Sequence, residues 1–247
     1  NLNENEAEVR KIAEWVSLFS PWRGLNRFQL ILKIFQALEE FLPTLGSRLS
    51  LHPNYFSTEQ LKRFVESGVP LSNDELKMWN DPALQEVLDW SLEVSRQIAV
   101  IGEMPVFNEV FQGLEKLREV SDLIVVSQTT EDALVREWRH AELEKFVDVI
   151  AGAELGSKAE SLTRAAVGRY PLDKIVMVGD APGDLEAAQA IGCLFFPIIP
   201  GDEVNSWIEL REVALAKILN GTFSSTCQDE LIARFNNALS PIPPYER

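Results

Sequence analysis

Residues 174–188 read Lys-Ile-Val-Met-Val-Gly-Asp-Ala-Pro-Gly-Asp-Leu-Glu-Ala-Ala. The apolar run 175–178 does not alternate in polarity, which is typical of a buried parallel strand. Gly179 ends this run, Asp180 follows at once, and a Pro-Gly turn leads to Asp184 at the start of an Ala-rich helix. Both carboxylates are therefore expected at the carboxyl end of a strand, where open α/β sheets bind their ligands.

Two interpretations of this carboxylate pair are open from the sequence. Clustered carboxylates repel each other, so the pair indicates a positive partner, and Mg²⁺ is the natural candidate for hard oxygen ligands. The alternative is a loop aspartate, Asp180, beside a helix N-cap aspartate, Asp184, an arrangement that many α/β proteins carry. The spacing alone does not choose between a metal site and a helix cap.

The composition limits the class of protein. The 247 residues are 46% hydrophobic, enough for one large domain or for a core domain with a smaller partner. A net charge of −15 argues against a general nucleic-acid-binding protein but not against an anionic substrate. The two cysteines imply no disulfide framework, and no apolar run reaches about 18 residues. The polar, acidic start of the sequence leads us to expect no signal peptide. We expect a cytoplasmic protein with no membrane partner and no nucleic-acid partner.

The pattern of the chain changes near residue 102. Residues 1–101 carry apolar side chains at helical spacing and no convincing alternating strand, which predicts an all-helical domain. Residues 102–247 alternate short apolar runs with helical segments, which predicts an α/β domain with a parallel sheet, helices on both faces and a C-terminal helical extension. The predicted strands are 123–126, 147–150, 175–178 and 194–197.

Two further polar sites lie at the ends of predicted elements of the α/β domain, one after a strand and one at the start of a helix. Ser127 comes directly after a predicted strand and is followed by Gln128 and two threonines. A hydroxyl there can donate to a phosphate, although a Ser/Thr cluster also serves as a helix cap. Lys158 stands near the start of a helix that a Ser157–Glu160 capping box predicts. A lysine in the first turn opposes the helix dipole, which favours a role beside carboxylates or phosphate, but a solvated surface lysine is the alternative.

The order of these sites resembles the haloacid dehalogenase-like (HAD) hydrolase superfamily, whose members show four motifs along the chain. Ser127 matches the second motif, Lys158 the third, and the segment from Asp180 to Asp184 with the preceding glycine matches the fourth. The resemblance covers roughly residues 104–200. It implies a Rossmann-like parallel sheet, and the helical first half resembles the cap domain that one subgroup inserts between the first and second motifs.

The first motif is not present in this chain. It is an Asp-x-Asp that supplies a nucleophile and an acid/base group, and no Asp-x-Asp occurs among the 247 residues. The superfamily places it on a strand just ahead of the cap, which here means before Asn1. Three explanations are open: the segment was lost or left out, it occupies another chain, or the protein lacks the nucleophile. Without that strand, the sheet would lack its central member and its apolar neighbours would be unpaired.

The resemblance implies a Mg²⁺-dependent phosphatase of a small phosphorylated metabolite, acting through an aspartyl-phosphate. By the same resemblance, Asp180 would hold Mg²⁺, and Asp184 would orient a metal-bound water or Lys158, which makes it both a metal residue and a catalytic one. Lys158 would contact the phosphate and the nucleophile, Ser127 would donate to a phosphate oxygen, and Gln128 would contact the substrate. A phosphotransferase of the phosphoglucomutase kind would share this site, and a dehalogenase is less favoured.

Two hypotheses of other classes are kept. The missing Asp-x-Asp motivates a non-catalytic binding or regulatory protein derived from the superfamily. The other hypothesis is a generic flavodoxin-like binding domain in which Asp180 and Asp184 are only helix caps. Replacing Asp180 by Asn would leave metal affinity unchanged in that last case.

Overall fold

The structure is a computed structural model that describes residues 6–43, 58–101 and 105–243. These residues form two units, one made of residues 6–101 with 239–243 and the other of residues 105–238. The sequence assigned all of residues 102–247 to the α/β domain, whereas residues 239–243 group with the helical residues. The domain boundary expected near residues 102–105 lies largely outside the described residues.

The first unit is built from helices. Their bounds are α1 Glu6–Leu18, α2 Arg27–Phe41, α3 Thr58–Val65, α4 Asn73–Trp79 and α5 Gln85–Ile101. Side chains satisfy the N–H groups at two of the helix starts: Asn26 accepts from Phe28 N at 3.0 Å, and Ser72 accepts from Glu75 N at 3.2 Å. Apolar residues at helical spacing meet in two buried clusters, one around Trp15 and one around Phe28.

Residues 239–243, at the C-terminal end of the described chain, pack against the helices of this unit. Trp15 is 1% exposed, and its indole Nε1 donates to the carbonyl of Ser240 at 3.0 Å. Ser240 N donates in turn to the carbonyl of Phe19 at 2.9 Å. Because a buried indole N–H needs an acceptor, the C-terminal segment completes the hydrogen bonding of the helical core.

The second unit alternates helices with short strands. The order is α6 Asn108–Arg118, β1 Ile124–Val126, α7 Glu131–His140, β2 Val149–Ala151, α8 Lys158–Ala166, β3 Val176–Gly179, α9 Pro182–Ile191, β4 Leu194–Pro197, α10 Glu203–Glu209, α11 Leu215–Leu219 and α12 Ser225–Ala238. A π-helical segment, Leu210–Ala214, joins α10 to α11. In the described chain, none of the helices combines the length and the apolar character that crossing a bilayer requires.

The strands form two separate pairs. β1 pairs with β2, and β3 pairs with β4, each pair parallel. The predicted α/β class with parallel strands is confirmed. The single Rossmann-like sheet is not seen among the described residues, because no strand there joins β1 or β2 to β3 or β4.

Each pair retains an open edge. Leu194 N donates to Ile175 O and Ile198 N donates to Gly179 O, so the backbone groups of Val176 and Val178 point away from β4. They have no hydrogen-bond partner among the described residues, and all three residues of β1 are likewise only partly buried although apolar. Unpaired edges beside half-buried apolar residues are typical of strands that accept another strand.

The outer edge of β4 is covered instead. Gln228 of α12 accepts a hydrogen bond from Phe195 N at 3.0 Å, and the Phe235 ring packs edge-on against the Phe195 ring. Lys174 caps α11, since its ammonium donates to the carbonyls of Ile218 at 3.0 Å and Leu219 at 3.2 Å. These contacts fix the base of β3, and with it the position of the residues at its carboxyl end.

The two thiols differ in their surroundings. Burial raises the pKa of Cys193, whereas Ser224 and, less strongly, the Lys217 ammonium 3.9 Å from Sγ lower the pKa of Cys227. Only the thiolate is alkylated, and each pKa unit changes its fraction about tenfold. We therefore expect iodoacetamide at neutral pH to modify Cys227 faster than Cys193, measured by peptide mass spectrometry. Equal rates would contradict this assignment of surroundings.

Candidate functional site

The carboxyl end of β3 is shaped by a side chain that folds back on it. Asp184 is the third residue of α9, whose N-cap is Ala181, so it is not the N-cap that one interpretation of the sequence expected. Its Oδ2 accepts hydrogen bonds from Asp180 N at 3.1 Å and from Ala181 N at 3.0 Å. The Asp184 residue is 3% exposed, so this carboxylate is buried and satisfied by backbone donors.

Gly179 makes this fold-back possible. A Cβ at residue 179 would lie 2.4 Å from both Cβ and Cγ of Asp184, well inside contact distance. The glycine is therefore required by the close approach of a side chain. The spacing of Gly179 and Asp184 is visible in the sequence, but the steric reason for the glycine was not predicted from it.

The second oxygen of Asp184 binds Lys158. Lys158 Nζ donates to Asp184 Oδ1 in an ion pair whose side chains are 22% exposed for the lysine and 4% for the aspartate. Lys158 is the first residue of α8, and the two helices α8 and α9 pack against each other. The pair is therefore held by packed helices, in surroundings where a buried charge needs its partner.

The loop before Lys158 has a fixed shape. Gly156 has φ +104° and ψ −157°, a conformation that is essentially restricted to glycine. Ser157 then caps α8: its hydroxyl accepts from Glu160 N at 3.2 Å, while Glu160 Oε2 accepts from Ser157 N at 2.8 Å. These contacts with Ser157 hold the pKa of Glu160 below its ordinary value. The predicted capping box is confirmed, and it sets the direction in which Lys158 leaves the helix.

The end of β1 reaches the same loop. Gln128 Nε2 donates to the carbonyl of Gly156 at 3.4 Å, which links β1 to the turn that carries Lys158. Ser127 Oγ accepts from Thr129 N at 3.1 Å, and its own O–H remains available as a donor. Thr130 occupies the N-cap position of α7 without a side-chain cap bond, and Glu154 accepts from Glu131 N instead. The Ser/Thr cluster therefore does not cap α7.

A chain of contacts thus connects the predicted site residues. Gln128 contacts the loop of Lys158, Lys158 binds Asp184, and Asp184 binds the backbone of Asp180. Ser127 lies at the end of β1, which packs against α8. This arrangement brings the Lys158 ammonium and the Asp184 carboxylate together beside the backbone of Asp180 at the carboxyl end of β3, the end of a parallel strand at which α/β proteins bind ligands.

The donor set suits Mg²⁺ in its chemistry. Mg²⁺ is commonly held by one or two carboxylates with waters and substrate phosphate, and Asp180 and Asp184 are oxygen ligands of that kind. Both oxygens of Asp184 already have partners within the protein, namely Lys158 Nζ and the backbone N–H groups of Asp180 and Ala181. Within residues 6–43, 58–101 and 105–243 there is no group of three or more His, Cys, Asp or Glu side chains that could enclose a metal.

Comparison with known proteins identifies the family. A family model described as haloacid dehalogenase-like hydrolase matches residues 25–198, which is more than half of the chain and includes every residue of this site. No curated protein and no solved structure matches the chain significantly. The superfamily assignment made from the motifs is confirmed, and the chain belongs to the haloacid dehalogenase-like hydrolases.

Proposed function

We propose that the protein is a Mg²⁺-dependent phosphatase of a small phosphorylated metabolite that acts through an aspartyl-phosphate. The observation that carries this proposal is the buried Lys158–Asp184 ion pair beside Asp180 at the end of β3. A lysine fixed by a buried carboxylate presents a preorganised positive charge, which stabilises the charge that develops on phosphoryl oxygens.

Each residue has a role in this proposal. Asp180 would hold Mg²⁺, which would supply charge neutralisation at the phosphoryl group. Asp184 would act mainly by holding Lys158 and the 179–181 turn, since both of its oxygens have partners. Ser127 would donate its O–H to a phosphate oxygen, Lys158 would contact another, and Gln128 would contact the substrate.

The nucleophile would come on a strand that is not among these 247 residues. The sequence holds no Asp-x-Asp, and β1 and β3 each have an edge with unpaired backbone groups in the described part of the chain. A strand that paired with these edges would satisfy their N–H and C=O groups, and its carboxyl end would bring an aspartate beside Lys158.

The test uses native protein isolated from its source. Its intact mass and N-terminal sequence are determined, and release of inorganic phosphate from a panel of small phosphate monoesters is measured with and without Mg²⁺. Additional residues with Asp-x-Asp and Mg²⁺-dependent turnover are expected. A native protein that contains Asp-x-Asp but hydrolyses no ester would contradict the phosphatase proposal.

A non-catalytic binding protein is the second candidate, because the chain has no Asp-x-Asp. It predicts that a native protein without this motif still binds Mg²⁺ and phosphate but shows no turnover. This result would favour the second candidate over the phosphatase.

Metal binding gives a separate prediction that needs no turnover. We expect Asp180→Asn to weaken Mg²⁺ binding at least tenfold, since a ligand charge is lost, a change worth about 1.4 kcal/mol or more. The measurement is isothermal titration of the whole chain in the presence of phosphate. Asp173→Asn, at an exposed residue of the turn before β3, is the matched control and should leave the affinity unchanged. Unchanged binding by Asp180→Asn would support the cap-only interpretation instead.

A further inference from the structure

The helical unit contains an arginine that is held in place by uncharged groups. Arg27, the first residue of α2, donates from Nη1 to Ser95 Oγ at 2.8 Å, to Ser91 O at 3.0 Å and to Ser91 Oγ at 3.3 Å. Ser91 is fully buried and donates to Asn73 Oδ1 at 2.6 Å. The guanidinium is therefore anchored to α5 through one nitrogen. Ser91, which accepts from that nitrogen, is held in turn by its own hydrogen bond to Asn73.

The charge of Arg27 is not neutralised within the described residues. The sequence has 38 acidic residues against 23 lysines and arginines, yet no carboxylate of the described chain lies within ion-pair distance of this side chain. Its Nε and Nη2 have no hydrogen-bond partner there either. By contrast, Arg96 on α5 binds both oxygens of Glu93, at 2.7 and 2.6 Å.

Helix stability does not account for this position. A positive side chain in the first turn opposes the helix dipole, and the first turn of α2 contains no acidic residue to offset it. The energetic cost of this positive charge is small, but the helix alone would favour a negative or neutral side chain at this position. At this end of the helix, the side chains of Asn26 and Gln29 already accept hydrogen bonds from backbone N–H groups.

We propose that Arg27 binds an oxyanionic group, carboxylate or phosphate, of a small ligand. A guanidinium presents its N–H groups as a planar fork that matches two oxygens of such a group. Because one nitrogen is anchored, the side chain loses little further freedom when the ligand arrives.

The test observes Arg27 directly. The side-chain Nε–Hε signals of the whole ¹⁵N-labelled chain are followed by NMR during titration with inorganic phosphate, with acetate, and with chloride at matched ionic strength. We expect the Arg27 signal to move and saturate with an oxyanion while the signal of Arg96 stays in place. Response to both oxyanions indicates a general site, and response to one identifies the group. No movement, or the same movement with chloride, would overturn the proposal.

Variants make the test specific. Arg27→Lys removes the Nε–Hε signal and so assigns it. The variant keeps the charge and loses the fork, so oxyanion binding, followed there by the backbone amide signals of α2, should weaken about tenfold or more. Circular dichroism checks that the variant folds, and the wild-type titration stands without it. Asp180→Asn should leave the Arg27 titration unchanged, and Arg27→Lys should leave Mg²⁺ binding unchanged. Failure of one proposal is therefore distinguishable from failure of the other.

Discussion

Asp184→Asn is expected to lower the free energy of unfolding of the α/β unit by about 3 kcal/mol, the lower end of the range for a broken buried ion pair. The amide keeps the shape of the side chain and can still accept from the two backbone N–H groups, but Lys158 loses the charge that balances it. The lower end applies because Lys158 is 22% exposed and regains some hydration. The measurement is a urea titration followed by hydrogen exchange of the peptide 174–188, which reports on this unit alone.

The ion pair can be separated from the loss of a single side chain. Lys158→Met, Asp184→Asn and the double variant form a cycle, and a coupling energy of about 1–3 kcal/mol is expected for residues in direct contact. Asp74→Asn is the control, because the Lys77–Asp74 pair on α4 is largely exposed and its loss should cost less than about 1 kcal/mol. A coupling energy near zero would mean that Lys158 and Asp184 are not partners in solution.

Gly179→Ala is expected to cost about 1–3 kcal/mol through overpacking, and to displace the Asp184 carboxylate as well. The new methyl group would meet Asp184 Oδ2 at 2.5 Å, and the buried aspartate has no room to yield without breaking its bonds to Asp180 N and Ala181 N. The same urea titration measures the stability, and Mg²⁺ titration measures the loss of the site.

Gly183→Ala is the matched control for this prediction. It lies four residues further on, in the first turn of α9, and a Cβ there would meet no atom within 4 Å. Alanine favours the helix over glycine by up to about 1 kcal/mol, so this variant should be neutral or slightly more stable. If both variants behaved alike, the steric role of Gly179 would be wrong.

Much of the local structure could be predicted from residue types and spacing. The strand 175–178, the Ser157–Glu160 capping box and the helix after Pro182 depend on neighbours along the chain, and their patterns are visible in the sequence. The order of motifs indicated which residues to group into a candidate site, and their roles stay a prediction. Their arrangement was not predicted, because Lys158 and Asp184 are 26 residues apart and meet only through the packing of α8 on α9.

Three features could not be predicted because they depend on tertiary contacts. The fold-back of Asp184 over Gly179 requires knowledge of where α9 starts, and the N-cap interpretation of Asp184 shifted that start. The anchoring of Arg27 by Ser91 and Ser95 joins residues more than 60 positions apart. The division of the four strands into two pairs follows from which edges meet, and polarity patterns contain no information on that.

The bond from Trp15 to Ser240 has a consequence for biosynthesis. The two residues are 225 positions apart, so the indole acceptor leaves the ribosome only after the whole α/β unit has been translated. Closing such a long loop is slow relative to local helix formation, and nascent domains usually fold in the order in which they emerge. The helical unit, although it precedes the α/β unit in the chain, can therefore complete its core only after the α/β unit has been translated, and the α/β unit can fold before it.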